Sequence, residues 1–223
     1  MESQLLSSVR MRLLLRKIFA FDEIPWVFLV VTLAAVVIQC NGAWRPLLIY
    51  DRHAVLQGQW WRIWTGHLVH FGWPHFVCDA GLFIILGRLI ERAYPVISRA
   101  ALVVMPVVIA VTLYWLDPAM IRYGGLSAVN FGLLLFLAGR GWQKNWVDWF
   151  WPAVLIIYVG EVVLETFYGH GHGGGMIQFD DPSVRVGTAA HIGGGACGIV
   201  SWLCSWWHGR RISAGRSGAA AAK

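Results

Sequence analysis

"TAAHIGGGACGIVSWLCSWW", residues 188–207, is the stretch whose reading decides the fold. It is about 20 residues long and apolar, enough to cross a bilayer as a helix. Yet it opens on His191 and a run of glycines. Ala190, Gly194 and Gly198 recur every fourth residue and so share one helix face. Small residues at that spacing let helix backbones approach closely in a membrane. A matching face lies upstream, in and just beyond "RYGGLSAVNF", residues 122–131, where Gly125, Ala128 and Gly132 line up. If the two faces meet, Ser127 and His191 stand near the seam. Judged alone, a serine in such a face is a packing residue more often than a nucleophile.

Composition agrees with a membrane. The chain has 223 residues, of which 57% are hydrophobic and 13% charged, with 14 Trp. Its mean hydropathy is +0.58. A soluble domain carries an apolar share nearer 45–50%. The net charge of +6 is scattered through short segments, which argues against nucleic acid and for membrane topology. Cys40, Cys78, Cys197 and Cys204 form no C-x-x-C pair and read as buried, inert thiols. No metal site is expected. "HGH" at 170–172 has no third ligand nearby.

Six segments are predicted to span, at about 24–42, 67–89, 98–116, 125–139, 147–167 and 188–207. The fold class is all-α, a polytopic six-helix bundle over 24–207. Residues 1–23 read as a cytoplasmic lead-in rather than a removed signal, and 208–223 as a cytoplasmic, disordered tail. With both termini inside, the outer side carries only Arg45, Arg52, Arg62, Arg122 and Arg185 of the 18 Lys and Arg. That distribution obeys the positive-inside rule. The outer loop 43–66, with "QGQWWRIW", has the composition of a headgroup-level segment, and the glycine-rich loop 168–187 could cover a site.

Ionisable residues at membrane depth are costly and therefore informative. His67, His70, His75 and Asp79 fall in the second segment, Ser127 and Asn130 in the fourth, Glu161 and Glu165 in the fifth, His191 in the sixth. All lie toward the outer side. His67 reads as interfacial and His70 as a packing residue. Glu161 and Glu165 share a helix face and either gate substrate access or face a wet cavity. A transporter would show internal repeats, which are not found. A heme or quinone protein would place histidines on facing spans, whereas these cluster on one.

Four motifs resemble the rhomboid family of intramembrane serine proteases. "GLS" at 125–127 is similar to its G-x-S nucleophile motif, and "AHIGGGACG" at 190–198 to its A-H-x-x-G-x-x-x-G motif. "WWR" at 60–62 and "HFGWPHFVCD" at 70–79 are similar to its first-loop and second-helix motifs. The phrasing "WRIWTGHLVHFGWPHF" and "YGGLS" is most similar to the rhombosortase group, which resembles processing enzymes for bacterial surface proteins with a Gly-Gly C-terminal sorting signal. The resemblance implies Ser127 as nucleophile and His191 as general base. It implies oxyanion stabilisation by backbone N–H groups around Leu126, by His75 and by Asp79. It implies no cofactor, transmembrane protein substrates, and a place in a bacterial inner membrane.

Three positions depart from the pattern. Asp79 stands where the family has Asn; ionised it would repel an oxyanion, protonated it could donate to one. Ala128 stands where Gly is usual. Phe131 stands where a Tyr often stacks on the catalytic His. The first two positions, Asp79 and Ala128, support the alternative, a rhomboid-like protein that binds membrane helices without cutting them.

Overall fold

The computed structural model describes residues 24–145, 149–168 and 187–221. Among these, nine α-helices run in chain order: α1 Trp26–Cys40, α2 Arg45–Leu48, α3 Arg52–Leu56, α4 Arg62–Thr65, α5 Trp73–Ile90, α6 Pro95–Leu116, α7 Ser127–Lys144, α8 Phe150–Tyr168 and α9 Thr188–Ala221. Two two-residue strands, β1 Tyr50–Asp51 and β2 Arg122–Tyr123, pair antiparallel and are the exception to an all-helical chain.

By length and composition α5 and α6 are able to cross a membrane, and α1 with the following Gly42–Leu48, bent by 99°, makes a third. The six predicted spans exceed this for a physical reason. In α7 and α9 glycine, asparagine and histidine replace apolar side chains on faces that are buried inside the protein, not turned to lipid. The outward faces are apolar: Val30, Leu33, Ile85, Val111, Ile157 and Val200 are all exposed. A surface of this kind suits hydrocarbon, and the chain is an integral membrane protein.

The bundle is centred on α7, whose Leu133, Leu134 and Phe136 are buried against its neighbours. A Cβ added at Gly194 or Gly198 of α9 would fall on the carbonyls of Ala128 or Gly132 of α7, so the two backbones touch. Both contacts step forward by four residues on each helix. The helices therefore run parallel and start at the same end of the bundle. Ala190 is fully buried beside this crossing, as the small-residue face predicts. On the far side of α9, Gly193 leaves room for Thr112 and the backbone of Ile109 in α6.

Polar groups pin the helix ends. The Glu91 carboxylate accepts from the backbone N–H groups of Val27 and Phe28, capping the start of α1 from the end of α5. Those ends share one side of the bundle. Buried Arg52 donates to the carbonyls of Leu113 and Tyr114 at the end of α6 and of Pro118 beyond it. Arg62 of the "WWR" motif donates to Pro46 and Ile49 carbonyls and to Gln59, folding the 43–66 loop onto itself.

Several boundaries and environments differ from expectation. The second segment becomes helical only at Trp73, after the 3-10 turn Gly66–Leu68, so His67 and His70 precede the span. His67 is buried within the protein. Gly125 lies outside α7, with φ +112°, and serves a turn, not a helix face. α9 continues to Ala221, through the residues expected to form a separate tail. Cys40, Cys78 and Cys204 are exposed and only Cys197 is partly covered, because they stand on helix faces that no other helix packs against. Residues 1–23, loop residues 169–186 with "HGH", and the side chains of Glu161 and Glu165 lie outside the described residues.

Candidate active site

The site is built where the turn 124–126 meets the segment 66–70. β1–β2 pairing brings Tyr123 beside Tyr50, and Gly124 is packed on the Val69 carbonyl so closely that a Cβ would clash. Gly125 N–H donates to the Gly66 carbonyl at 3.4 Å, and His67 Nδ1 donates to the Gly125 carbonyl at 3.1 Å. The turn delivers Ser127 as the first residue of α7, half-buried at the head of the helix.

Three neighbours define the surroundings of Ser127. The Tyr123 hydroxyl donates weakly to the Gly125 carbonyl at 3.5 Å, two residues before the serine. Tyr158 of α8 donates to the Ser127 carbonyl at 2.8 Å. Asp79 Oδ2 accepts the N–H of Leu126 at 2.9 Å, immediately before the serine.

His191 sits in the first turn of α9 and is buried. Its Nδ1 lies 3.0 Å from the Gly187 carbonyl. A carbonyl only accepts, so Nδ1 carries the proton, and in the neutral ring Nε2 is the basic nitrogen. Phe131 lies 6.0 Å away between ring centroids but is tilted by 59°, so it does not stack on His191. Its parallel partner is Tyr158, at 5.6 Å and 10°. The Tyr158 ring also contacts His191, centroids 6.4 Å apart. The Tyr158 hydroxyl, supplied from α8, is bonded to the Ser127 carbonyl.

His75 and Asp79 are together, one helical turn apart on α5, with Nε2 and Oδ2 separated by 3.1 Å. His70 Nε2 reaches the same oxygen at 3.4 Å. A Cβ on Gly125 would collide with the His75 ring and with Asp79 Oδ2. Thus Leu126, His75 and Asp79, each expected to face an oxyanion, are bonded to one another. Asn130 donates to the Asp79 backbone carbonyl at 2.9 Å, tying α5 to α7. Sequence reasoning passed over Tyr123 and Tyr158 and undervalued His67 and His70. Only Tyr123 carried a local signal, its place beside the glycine pair.

The rhomboid-domain profile matches residues 57–208. This chain belongs to the rhomboid family. Rhomboid proteins are intramembrane serine proteases, which act on transmembrane substrates within the bilayer. A comparison with curated proteins gave no match. The matched residues cover the end of the 43–66 loop, the 66–70 segment, the turn before Ser127 and the head of α9.

Proposed function

We propose that this rhomboid protein is an intramembrane serine endopeptidase working through Ser127 and His191. The observation that carries the reading is the parallel contact of α7 and α9 at Ala128 and Gly194. It puts the heads of both helices, and with them the serine and the Nδ1-anchored histidine, at one end of the bundle. Ser127 Oγ attacks the scissile carbonyl while His191 Nε2 takes its proton and returns it to the leaving amine. Backbone N–H groups of the first turn of α7, which have no partner within the helix, face the oxyanion. In this reading all six long helices cross the membrane and both termini are cytoplasmic. The substrate is a transmembrane helix, locally unwound by poor helix formers at the bond to be cut.

The narrower reading, a rhombosortase acting on Gly-Gly sorting signals in a bacterial inner membrane, rests on the wording of the 61–76 and 123–127 segments. The decisive test is a fluorophosphonate probe on the purified full chain, beside cleavage of two model substrates, one with a Gly-Gly C-terminal anchor and one without. Labelling and cleavage that vanish in Ser127→Ala and His191→Ala support the protease. Equal labelling of wild type and Ser127→Ala removes it. A preference for the Gly-Gly substrate supports the narrower reading, and equal cleavage removes that alone.

A second reading is favoured by one contact. Asp79 occupies the Leu126 amide, so a donor expected for the oxyanion is already engaged. A rhomboid-like helix binder would show this and would neither label nor cleave.

A further inference from the structure

We propose that His67 is a positioning residue, whose Nδ1–H fixes the peptide between Gly125 and Leu126 and so sets where Ser127 stands. The kinetic arm of its test rests on the protease reading; the hold on the turn does not.

That peptide is gripped at both ends. Its carbonyl lies 3.1 Å from His67 Nδ1, and its N–H is given to Asp79 Oδ2 at 2.9 Å. Gly125 also gives its own N–H to the Gly66 carbonyl. Consecutive residues of the 3-10 turn, Gly66 and His67, thus bind both main-chain groups of one glycine. This glycine needs an outside hold. At φ +112° it has no Cβ to restrain it, and glycine moves readily to other conformations. The Tyr123 hydroxyl reaches the same carbonyl only at 3.5 Å, the longer and weaker contact.

The tautomer follows from the partner. A carbonyl only accepts, so the His67 proton is on Nδ1. Among the described residues no carboxylate pairs with the ring, and His67 is buried. A buried charge without a partner is costly, so the ring is neutral and Nε2 is bare. The Tyr123 ring meets the imidazole edge to face, centroids 5.5 Å apart at 71°, and fixes its rotation.

The turn is supported unevenly. On one side Gly125 rests on the His75 ring and on Asp79. On the other, Leu126 borders a cavity of about 230 Å³, walled by Val31, Trp64, Leu102 and Val129 and by His67 itself. Val129 is two residues from Ser127, roughly 200° round the helix, so the hollow lies behind the nucleophile. An apolar hollow stays dry and offers the turn no support. The Nδ1–H bond supplies it. Without that bond the peptide is free to sink toward the hollow, and Ser127, one residue on, moves with it.

Three replacements separate the hydrogen bond from the bulk of the ring. Asn carries an N–H as many bonds from the backbone as Nδ1, Gln carries one as far out as Nε2, and Leu carries none. The protein is the detergent-purified full chain. Nitrogen-15 NMR of histidine-labelled protein should show His67, identified by the signal lost in His67→Asn, as a neutral ring with its proton on Nδ1. Hydrogen exchange of the Leu126 amide should be at least about tenfold faster in His67→Leu and His67→Gln, and less than about threefold faster in His67→Asn. The Val27 amide, bonded to Glu91 at the far end of the bundle, should be unchanged in all three. A proton on Nε2, or a Leu126 amide as slow in His67→Leu as in wild type, overturns the hold whether or not the protein cleaves anything. An equal rise at Val27 reduces His67 to a packing residue and overturns it too.

On a model transmembrane substrate, His67→Leu and His67→Gln should keep KM within about twofold and lose about a hundredfold in kcat, the size expected of a displacement near 1 Å. His67→Asn should recover most of that loss. Unchanged kcat in His67→Leu, or equal losses in His67→Asn and His67→Leu, overturns the positioning of the serine. A wild type that neither labels nor cleaves defeats the protease reading alone, and the NMR and exchange results then decide the hold.

Discussion

Tyr158 illustrates how single side chains complete this site. It donates to the carbonyl of Ser127 and lies flat against Phe131, while its ring edge approaches His191. One residue on α8 thus touches three of the groups on α7 and α9 assigned to chemistry. Tyr158→Phe removes the hydrogen bond and keeps the ring stack. A net hydrogen bond contributes about 0.5–1.5 kcal/mol, so the variant should melt slightly lower and label several-fold more slowly with the fluorophosphonate. Tyr158→Ala removes the stack as well and should be slower again. Equal labelling rates in wild type and both variants would show that Tyr158 does not orient the serine. Nothing local in the sequence announced this role, because Tyr158 sits in an ordinary apolar run and meets Ser127 only through the fold. The places of Ser127 and His191 at the heads of their helices were legible because glycine-rich motifs surround them. The place of His70 beside Asp79 was not, because it depends on a chain return that sets 66–70 beside 124–126.

At the scale of helices, the deciding contact is glycine against backbone. Gly194 and Gly198 leave no room for a side chain where α9 crosses α7. Their spacing of four was readable directly, and so was the partner face at Ala128 and Gly132. The start of α7 was not readable, since Gly125 continues the same pattern of small residues but adopts φ +112° and belongs to the turn. The trans cap of α1 by Glu91 was equally hidden, because a cap supplied from another helix leaves no signal at the helix it caps. Gly194→Val forces α9 away from α7 and should cost at least about 1–3 kcal/mol, the usual range for overpacking a close contact. Because the shift acts on the head of α9, His191 moves with it. Activity should fall more than a matched loss of stability explains. The comparison is made at one temperature between Gly194→Val and Gly81→Val, a position on α5 with open space around it. Similar melting temperatures and activities for the two would show that the crossing tolerates separation.

The whole molecule joins these contacts to a direction in the membrane. α7 and α9 run parallel, and the end that carries Ser127 and His191 also carries the β1–β2 pair and the 43–66 loop folded by Arg62. Glu91 marks the opposite end, where α5 finishes and α1 begins. Arg45, Arg52, Arg62 and Arg122 fall at the Ser127 end, against Arg88, Arg92, Arg99, Arg140 and Lys144 around the far ends of α5, α6 and α7 and Arg210, Arg211 and Arg216 in the C-terminal half of α9. Under the protease reading proposed above, the positive-inside rule puts the site at the outer face. A charged, membrane-impermeant fluorophosphonate should therefore label the full chain in right-side-out vesicles and leave it unlabelled in sealed inverted vesicles, with equal labelling in both once detergent is added. Labelling confined to inverted vesicles would reverse the orientation while leaving the site intact. Labelling in neither type of vesicle, but full labelling in detergent, would mean that the pocket is closed to water in the bilayer and must open with the substrate.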